Sequence, residues 1–306
     1  RSLESDPLSF PNLVSIGANA FKNVRTNFSY FALPSSLKSV GANAFADCTS
    51  LNKIVMAEDM KIEKMEEGVF ENCSQLTSVT LPSGIKEIPA KTFMGCYRLL
   101  YNNDFVIGKD VETIGDGAFA IYTGRGSSTS VTTYSRHVLK VHEENENFII
   151  TRLEDNRRDG NTTSTYQQGL LTDVDGETVY AYYGSYDASS TNSMGRTFRF
   201  LDAEGNYITS IKTIKSYAFA GVDFEYILLP TTITEVGDYL FMGSKIAVSY
   251  TSAVGWKLTK YSFSKVAEKD PDVEVLLLST AAGVEEFLQT LGEFGIEART
   301  YNGTLQ

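Results

Sequence analysis

The chain has 306 residues, 42% hydrophobic and 21% charged, enough apolar material for a sizeable core, with no run of about 18 apolar residues to span a bilayer. Its formal net charge of −11 repels nucleic acid and anionic lipid, both of which need clustered Lys and Arg. Neither nucleic acid nor membrane is therefore an expected partner.

The opening RSLESDPLSF has no initiator Met and no charged-then-apolar leader, so a processed or trimmed product is expected. From Leu13 a phrase recurs: Ile-Gly-x-x-Ala-Phe-x-x-Cys, then Leu, then an apolar residue closing on Leu-Pro. The anchoring phenylalanines are Phe21, Phe45, Phe70, Phe93 and Phe119, then Phe219 and Phe241, with adjacent copies 22 to 26 residues apart. A period of this size is the signature of a solenoid. Each turn buries its apolar face only against the next, so the stack presents a long surface instead of a pocket.

The copy ending at Leu81 and Pro82 shows the logic of one turn. Leu76, Val79 and Leu81 are expected to face inward, while Ser78 and Thr80 flank Val79 on a short strand and face outward. Pro82 cannot donate to a ladder and Gly84 tolerates a sharp turn, so the pair ends the strand. Ile85 and Ile88 begin the next core layer. Gly17, Gly41, Gly115 and Gly237 follow the second aliphatic residue of their copies, and Ala20, Ala44 and Ala118 precede the Phe, which lets a compact helical turn sit close to the stack. Cys48, Cys73 and Cys96 each follow an anchor by three residues. Val24, Val222 and Ser244 fill the same slot elsewhere, so the thiols read as small buried positions. An in-register ladder usually lacks disulfide geometry.

These residues resemble the BspA-like bacterial leucine-rich repeats, whose units carry the pattern IGxxAFxxCxxLxxhxLP. Residues 13–119 and 211–248 match it. The fourth copy departs, with Pro89 in place of the usual Gly and the longer stretch RLLYNNDFVIG, where Phe105 and Ile107 take the strand positions. The last two copies lack the Cys. The resemblance implies an exported, cell-surface or secreted protein of a host-associated bacterium that adheres to other proteins. Its expected fold is an α/β repeat, a leucine-rich-repeat solenoid of short strands and short helical turns.

The first block of repeats is placed at residues 1–119, and Phe119 and Phe219 then lie 100 residues apart. Nothing between them reproduces the phrase, and 120–210 reads as a β-rich insertion. VTTYSRHVLKV (131–141), NFIITRL (147–153), TVYAYY (178–183) and RTFRFL (196–201) alternate as strands do, separated by Asp-Gly and Glu-Gly turns. An antiparallel insertion is expected, and continuation of the solenoid's sheet is left open. A second block of repeats follows at 211–250. In the last segment, 251–306, VEVLLLST reads as a strand, and Val284, Phe287, Leu288 and Leu291 share one helix face. With IEARTY as a second strand, a β-α-β cap over the solenoid's end is expected. No Gly-rich loop joins its strand to its helix, so a nucleotide site is not expected.

Other motifs bear on chemistry. TDVDGET (172–178) echoes a calcium loop, but Tyr182 stands where the distal Glu belongs, and a hairpin turn explains the motif better. His137 and His142 fall on opposite faces of a strand, which argues against shared metal ligation. GRGSST (124–129) has the wrong spacing for a nucleophile elbow. Carboxylates across a cleft cannot be paired from sequence. No catalysis, no metal and no cofactor are expected.

Two groups of residues remain as candidate binding positions. Tyr30, Lys53, Ser78, Thr80, Asp104 and Tyr226 are expected to point outward from the repeat strands. In YAYYGSY, Tyr180, Tyr182 and Tyr186 either line one exposed face, where flat amphipathic rings suit sugars or proteins, or form the insertion's own core. The leading expectation is a non-catalytic binding or adhesion protein that contacts a host or bacterial surface protein through the solenoid sheet. A glycan-binding protein using the insertion tyrosines, or a structural spacer in a larger surface protein, stands beside it.

Overall fold

The computed structural model describes residues 8–25, 29–57, 59–101, 105–120, 139–153, 168–183, 197–221, 226–242, 247–252, 274–282, 284–295 and 298–301. The chain divides into two units, Arg1–Thr123 with Arg136–Ile150, and Gly124–Ser135 with Thr151–Gln306.

The first unit runs through β1 (Leu8–Ser9), β2 (Ser15–Ile16), β3 (Tyr30–Leu33), β4 (Ser39–Val40), β5 (Lys53–Met56), β6 (Lys64–Met65), β7 (Ser78–Val79) and β8 (Glu87–Ile88). It continues through the short helix α1 (Tyr97–Tyr101), β9 (Val106–Ile107), β10 (Thr113–Ile114), β11 (Lys140–Val141) and the first residues of β12 (Phe148–Arg152). Alternate strands build two parallel ladders. One joins β1, β3, β5 and β7, with Phe31, Ile54 and Val79 in register. The other joins β2, β4 and β6, with Ile16, Val40 and Met65 in register. β8 pairs with β10 and β9 with β11 in the same parallel sense.

The segment that carries each anchor is a chain of turns, where short helical turns were expected. Ala44, Ala46 and Cys48 donate their amides three residues back, to Gly41, Asn43 and Phe45. Asn43, Phe45 and Asp47 donate instead to Glu67, Val69 and Glu71 of the next turn. An α-helix would need every amide for its own i→i−4 ladder, so this alternation excludes one. It also demands positive φ two residues before and two after the anchor. Asn43 and Asp47 take φ of 56° and 60° around Phe45, and Gly68 and Asn72 take 65° and 59° around Phe70. Asn, Asp and Gly adopt that region most readily.

The anchors then stack. Phe45, Phe70 and Phe93 are fully buried, with ring centroids 5.6 Å apart for Phe45 and Phe70 and 5.8 Å for Phe70 and Phe93, at 21° and 12°. Beside them the thiols of Cys48, Cys73 and Cys96 donate to the carbonyls of Phe21, Phe45 and Phe70, one turn back, at 2.9, 3.0 and 3.0 Å. All three thiols are free and buried, as the recurring slot predicts. Gly41 and Gly115 are required by close approach: a Cβ there would lie 2.5 Å from the Ala18 nitrogen and 2.3 Å from that of Ala90.

The second unit contains the end of β12, then β13 (Gly169–Asp173), β14 (Thr178–Tyr183), β15 (Thr197–Arg199), β16 (Thr213–Ile214), β17 (Tyr226–Leu228) and β18 (Glu235–Val236). β19 (Ala247–Ser252), β20 (Glu274–Ala282), α2 (Val284–Glu293) and β21 (Ala298–Tyr301) complete it. β13 and β14 make an antiparallel hairpin. The strands around that hairpin depart from the expected antiparallel insertion: β14 pairs parallel with β16, Val179 opposite Ile214, and β15 pairs parallel with β17, Phe198 opposite Ile227. Residues 178–201 therefore supply both strands of one more solenoid turn. Tyr182 takes the anchor's place in it, its amide donating to the Ala218 carbonyl at 2.8 Å and its ring stacking on Phe219 at 5.7 Å and 19°.

From β17 the ladder continues through β19, β20 and β21, all parallel. The expected strand, helix and strand of the last segment are β20, α2 and β21. α2 buries Phe287 and Leu291 in the core shared with Phe198, Phe219 and Phe241, and Val284 and Leu288 pack at its margin.

Candidate interaction surface

Strand alternation decides what the first unit shows to solvent. Phe31, Ile54 and Val79 point into the core, so Tyr30, Lys53 and Ser78, each one residue earlier, form an outward row in direct register. Lys53 and Thr80 are exposed, and Tyr30 and Ser78 are half-buried. The Lys53 ammonium lies 5.7 Å from the Tyr30 ring centroid, a cation–π contact that fixes both side chains. Next to this row, Ala32 and Val55 are also in register, and Thr80 extends their line beyond β7. The result is two adjacent outward rows, each three turns wide, across β3, β5 and β7. Asp104 lies outside the described residues. Tyr226 sits on β17, opposite Thr197 and Ala247, and its side chain is likewise outside the described set.

Exposed ion pairs link neighbouring turns beside the β4–β6, β8–β10 and β9–β11 pairings. Lys38 with Glu63, Lys86 with Glu112 and Lys109 with Glu144 pair between turns at 3.8, 2.6 and 3.2 Å. These side chains are exposed, so each pair contributes little to stability.

Of the insertion's candidate tyrosines, Tyr182 belongs to the core and not to an exposed face. Tyr182 is 7% exposed and its hydroxyl meets the Gln168 side chain at 3.2 Å. Tyr183 is buried too, over Gly169, where a Cβ would come within 2.4 Å of its ring, and burial raises its hydroxyl pKa to about 12. Tyr180 is half-buried, and Tyr186 lies outside the described residues. The register shift between Leu171 and Thr172, paired with Ala181 and Val179, leaves Tyr180 as the extra residue of a bulge. Such a bulge breaks period-2 alternation, which is why Val179 and Tyr182, an odd number apart, share one core.

Another aromatic feature is not marked by the repeat phrase itself. Tyr217 and Tyr239 fill the left-handed slot two residues before Phe219 and Phe241, with φ of 63° and 52°. Their rings stack at 5.4 Å and 25°, and both are half-buried. Each bulky side chain in this region costs about 1–2 kcal/mol, so the two together cost more than the about 0.5–1.5 kcal/mol that their one stack returns. Aligning the slot against Asn19, Asn43 and Gly68 would have flagged it.

The motifs weighed for chemistry resolve into structure where they are described. One Asp173 carboxylate oxygen accepts the Glu177 and Thr178 amides at 2.8 and 3.2 Å, closing the hairpin turn. The His142 Nδ1 accepts the Glu144 amide at 3.1 Å, while His137 and the GRGSST stretch lie outside the described residues. No metal-binding cluster of His, Cys, Asp or Glu occurs among the described residues. The thiol pKa values are raised, that of Cys48 by the neighbouring Cys73 thiol and then by burial, that of Cys73 by burial first.

Stacked parallel ladders, a repeated Phe anchor and cross-turn amides define a leucine-rich-repeat solenoid. The chain matches the BspA type leucine rich repeat region in six copies, over residues 4–124 and 204–269, and belongs to that family. No curated protein matched it. Among solved structures it is similar to the pneumococcal vaccine antigen PcpA, at 15% identity and TM-score 0.40, covering 96% of this chain and 72% of that one. A leucine-rich repeat protein from Eubacterium ventriosum is 18% identical with TM-score 0.46, over 86% of this chain and 63% of that one. A leucine-rich cell surface protein from Faecalibacterium prausnitzii is 13% identical with TM-score 0.39, over 95% and 83%.

Proposed function

We propose that this chain is an exported, non-catalytic binding protein that acts at the cell surface or after secretion and uses the outward face of its solenoid ladder to hold a host or bacterial surface protein. The observation that carries this reading is the in-register face of Tyr30, Lys53 and Ser78 beside Ala32, Val55 and Thr80. Turn-to-turn packing pre-organises such a face, so little ordering is left to oppose association. It mixes an aromatic ring, a cation and small apolar side chains, which suits a partner protein's surface. In this reading the β20-α2-β21 segment caps the ladder of the second unit.

The test is direct binding of the purified chain to a panel of host matrix proteins and bacterial surface proteins, run beside hydrolysis assays on peptides and polysaccharides. Saturable binding to a protein without turnover is the expected result. Turnover abolished by a single carboxylate substitution would replace this reading with an enzymatic one, and inertness throughout would replace it with a spacer.

A further inference from the structure

We propose that the face of the turn at residues 13–24, at the open end of the first unit, docks the anchor segment of one more repeat turn, carried by the same polypeptide ahead of residue 1. The turn that follows this one spends a fixed set of backbone groups on it. Lys38, Ser39 and Gly41 donate their amides to the Val14 and Ile16 carbonyls, and the Ala42, Ala44 and Ala46 carbonyls accept from Asn19, Phe21 and Asn23. The corresponding groups of residues 13–24 are the amides of Val14, Ser15 and Gly17 and the carbonyls of Ala18, Ala20 and Lys22. None of these six meets a partner among the described residues. Side chains show the same difference: Ala44, Phe45 and Ala46 are buried, whereas Ala20 and Lys22 are exposed and Phe21 is half-buried. Phe10, Leu13, Ile16, Gly17, Ala20 and Phe21 line a depression at this end.

The chemistry of the face selects its occupant. Three amides followed by three carbonyls, in the order that every stacked turn answers, call for a segment with this same backbone. Gly17 adds a steric signature. A Cβ at Gly41 would lie 2.5 Å from the Ala18 nitrogen and one at Gly237 2.2 Å from that of Ser216, whereas one at Gly17 meets nothing within 4 Å. A glycine with no close neighbour only adds chain entropy to the unfolded state, so its use at 17 fits a backbone that presses on it. β1 supplies a third, independent observation. Leu8 is in register with Phe31 as Phe31 is with Ile54, so β1 is the strand of a turn whose anchor segment comes before it. The anchor precedes the matching strand residue by nine positions at Phe45 and Ile54, ten at Phe21 and Phe31, and twelve at Phe93 and Phe105, and residues 1–7 contain no aromatic residue. The same spacings from Leu8 put this anchor upstream of Arg1.

The experiment compares amide hydrogen exchange in the 306-residue chain and in a longer product that carries its natural upstream residues. The upstream sequence is expected to hold a phenylalanine or tyrosine nine to twelve residues before Leu8, and the longer product to slow exchange at Ser15 and Gly17 by about tenfold or more. Gly17→Ala separates docking from general stiffening. It should leave the melting temperature of the shorter chain nearly unchanged and lower that of the longer product by about 2–4 °C, because the added Cβ then strikes backbone. An upstream sequence with no aromatic residue at that spacing, exchange at Ser15 and Gly17 that does not slow, or Gly17→Ala tolerated equally by both products would each overturn the proposal. Protection of Ser15 and Gly17 in the shorter chain that rises with its concentration would assign the face to a second copy and overturn it as well.

Discussion

Side chains recur in this protein because one backbone plan recurs, and each type answers a local demand. Phe70 is fully buried between Phe45 and Phe93, whereas Thr80 is exposed. Phe70→Ala should therefore destabilise by about 3–5 kcal/mol through the cavity it leaves, and Thr80→Ala by little; equal melting temperatures would refute the register. Glycine gives a second contrast. A Cβ at Gly115 would strike the Ala90 backbone at 2.3 Å, while one at Gly17, in the first described repeat turn, meets nothing within 4 Å. Gly115→Ala should cost about 1–3 kcal/mol and Gly17→Ala far less, as paired thermal melts would show. The phenylalanines, the glycines and the outward row Tyr30, Lys53 and Ser78 were legible in sequence because a fixed period and strand alternation specify them. Tyr217 and Tyr239 were not, since Gly and Asn are the residues that signal a left-handed backbone.

Among the elements, β14 shows where sequence pattern and structure part. In an ordinary copy the second aliphatic residue precedes the anchor by five positions, as Ile214 precedes Phe219. In the turn built from residues 178–201, Val179 precedes Tyr182 by three, and a tyrosine replaces the phenylalanine, so the phrase is unrecognisable. The hydrogen bonds keep the plan even so: Lys215 donates to Val179 and Tyr182 to Ala218, as Gly237 donates to Ile214 and Phe219 to Leu240. Tyr182→Ala should consequently destabilise like the loss of an anchor, by about 3 kcal/mol or more, and Tyr180→Ala, at the half-buried bulge, by much less. Urea denaturation of both variants checks this, and similar midpoints would return Tyr182 to an ordinary hairpin position. The β20-α2-β21 segment was read more easily, because Val284, Phe287, Leu288 and Leu291 keep helical spacing and two of them reach the core.

On the scale of the molecule, the proposed function rests on the outward face that the first unit's ladder presents. The repeat frame uses its polar residues for inter-turn pairs such as Lys86 with Glu112 and for closing turns, as Asp173 does. Among the described residues this leaves an outward face whose composition suits recognition better than chemistry. The family and its solenoid were legible from the repeat, but the partner was not, because a face of Tyr, Lys, Ser, Ala, Val and Thr carries no chemistry that names one ligand. The most direct test compares binding of a protein partner by two equally folded variants, Lys53→Glu with Val55→Asp on the outward face and Lys86→Glu on the ion-paired side. The account predicts that the first loses most of its affinity while the second retains it. Undiminished binding by the first variant would contradict the assignment of the interaction to this face.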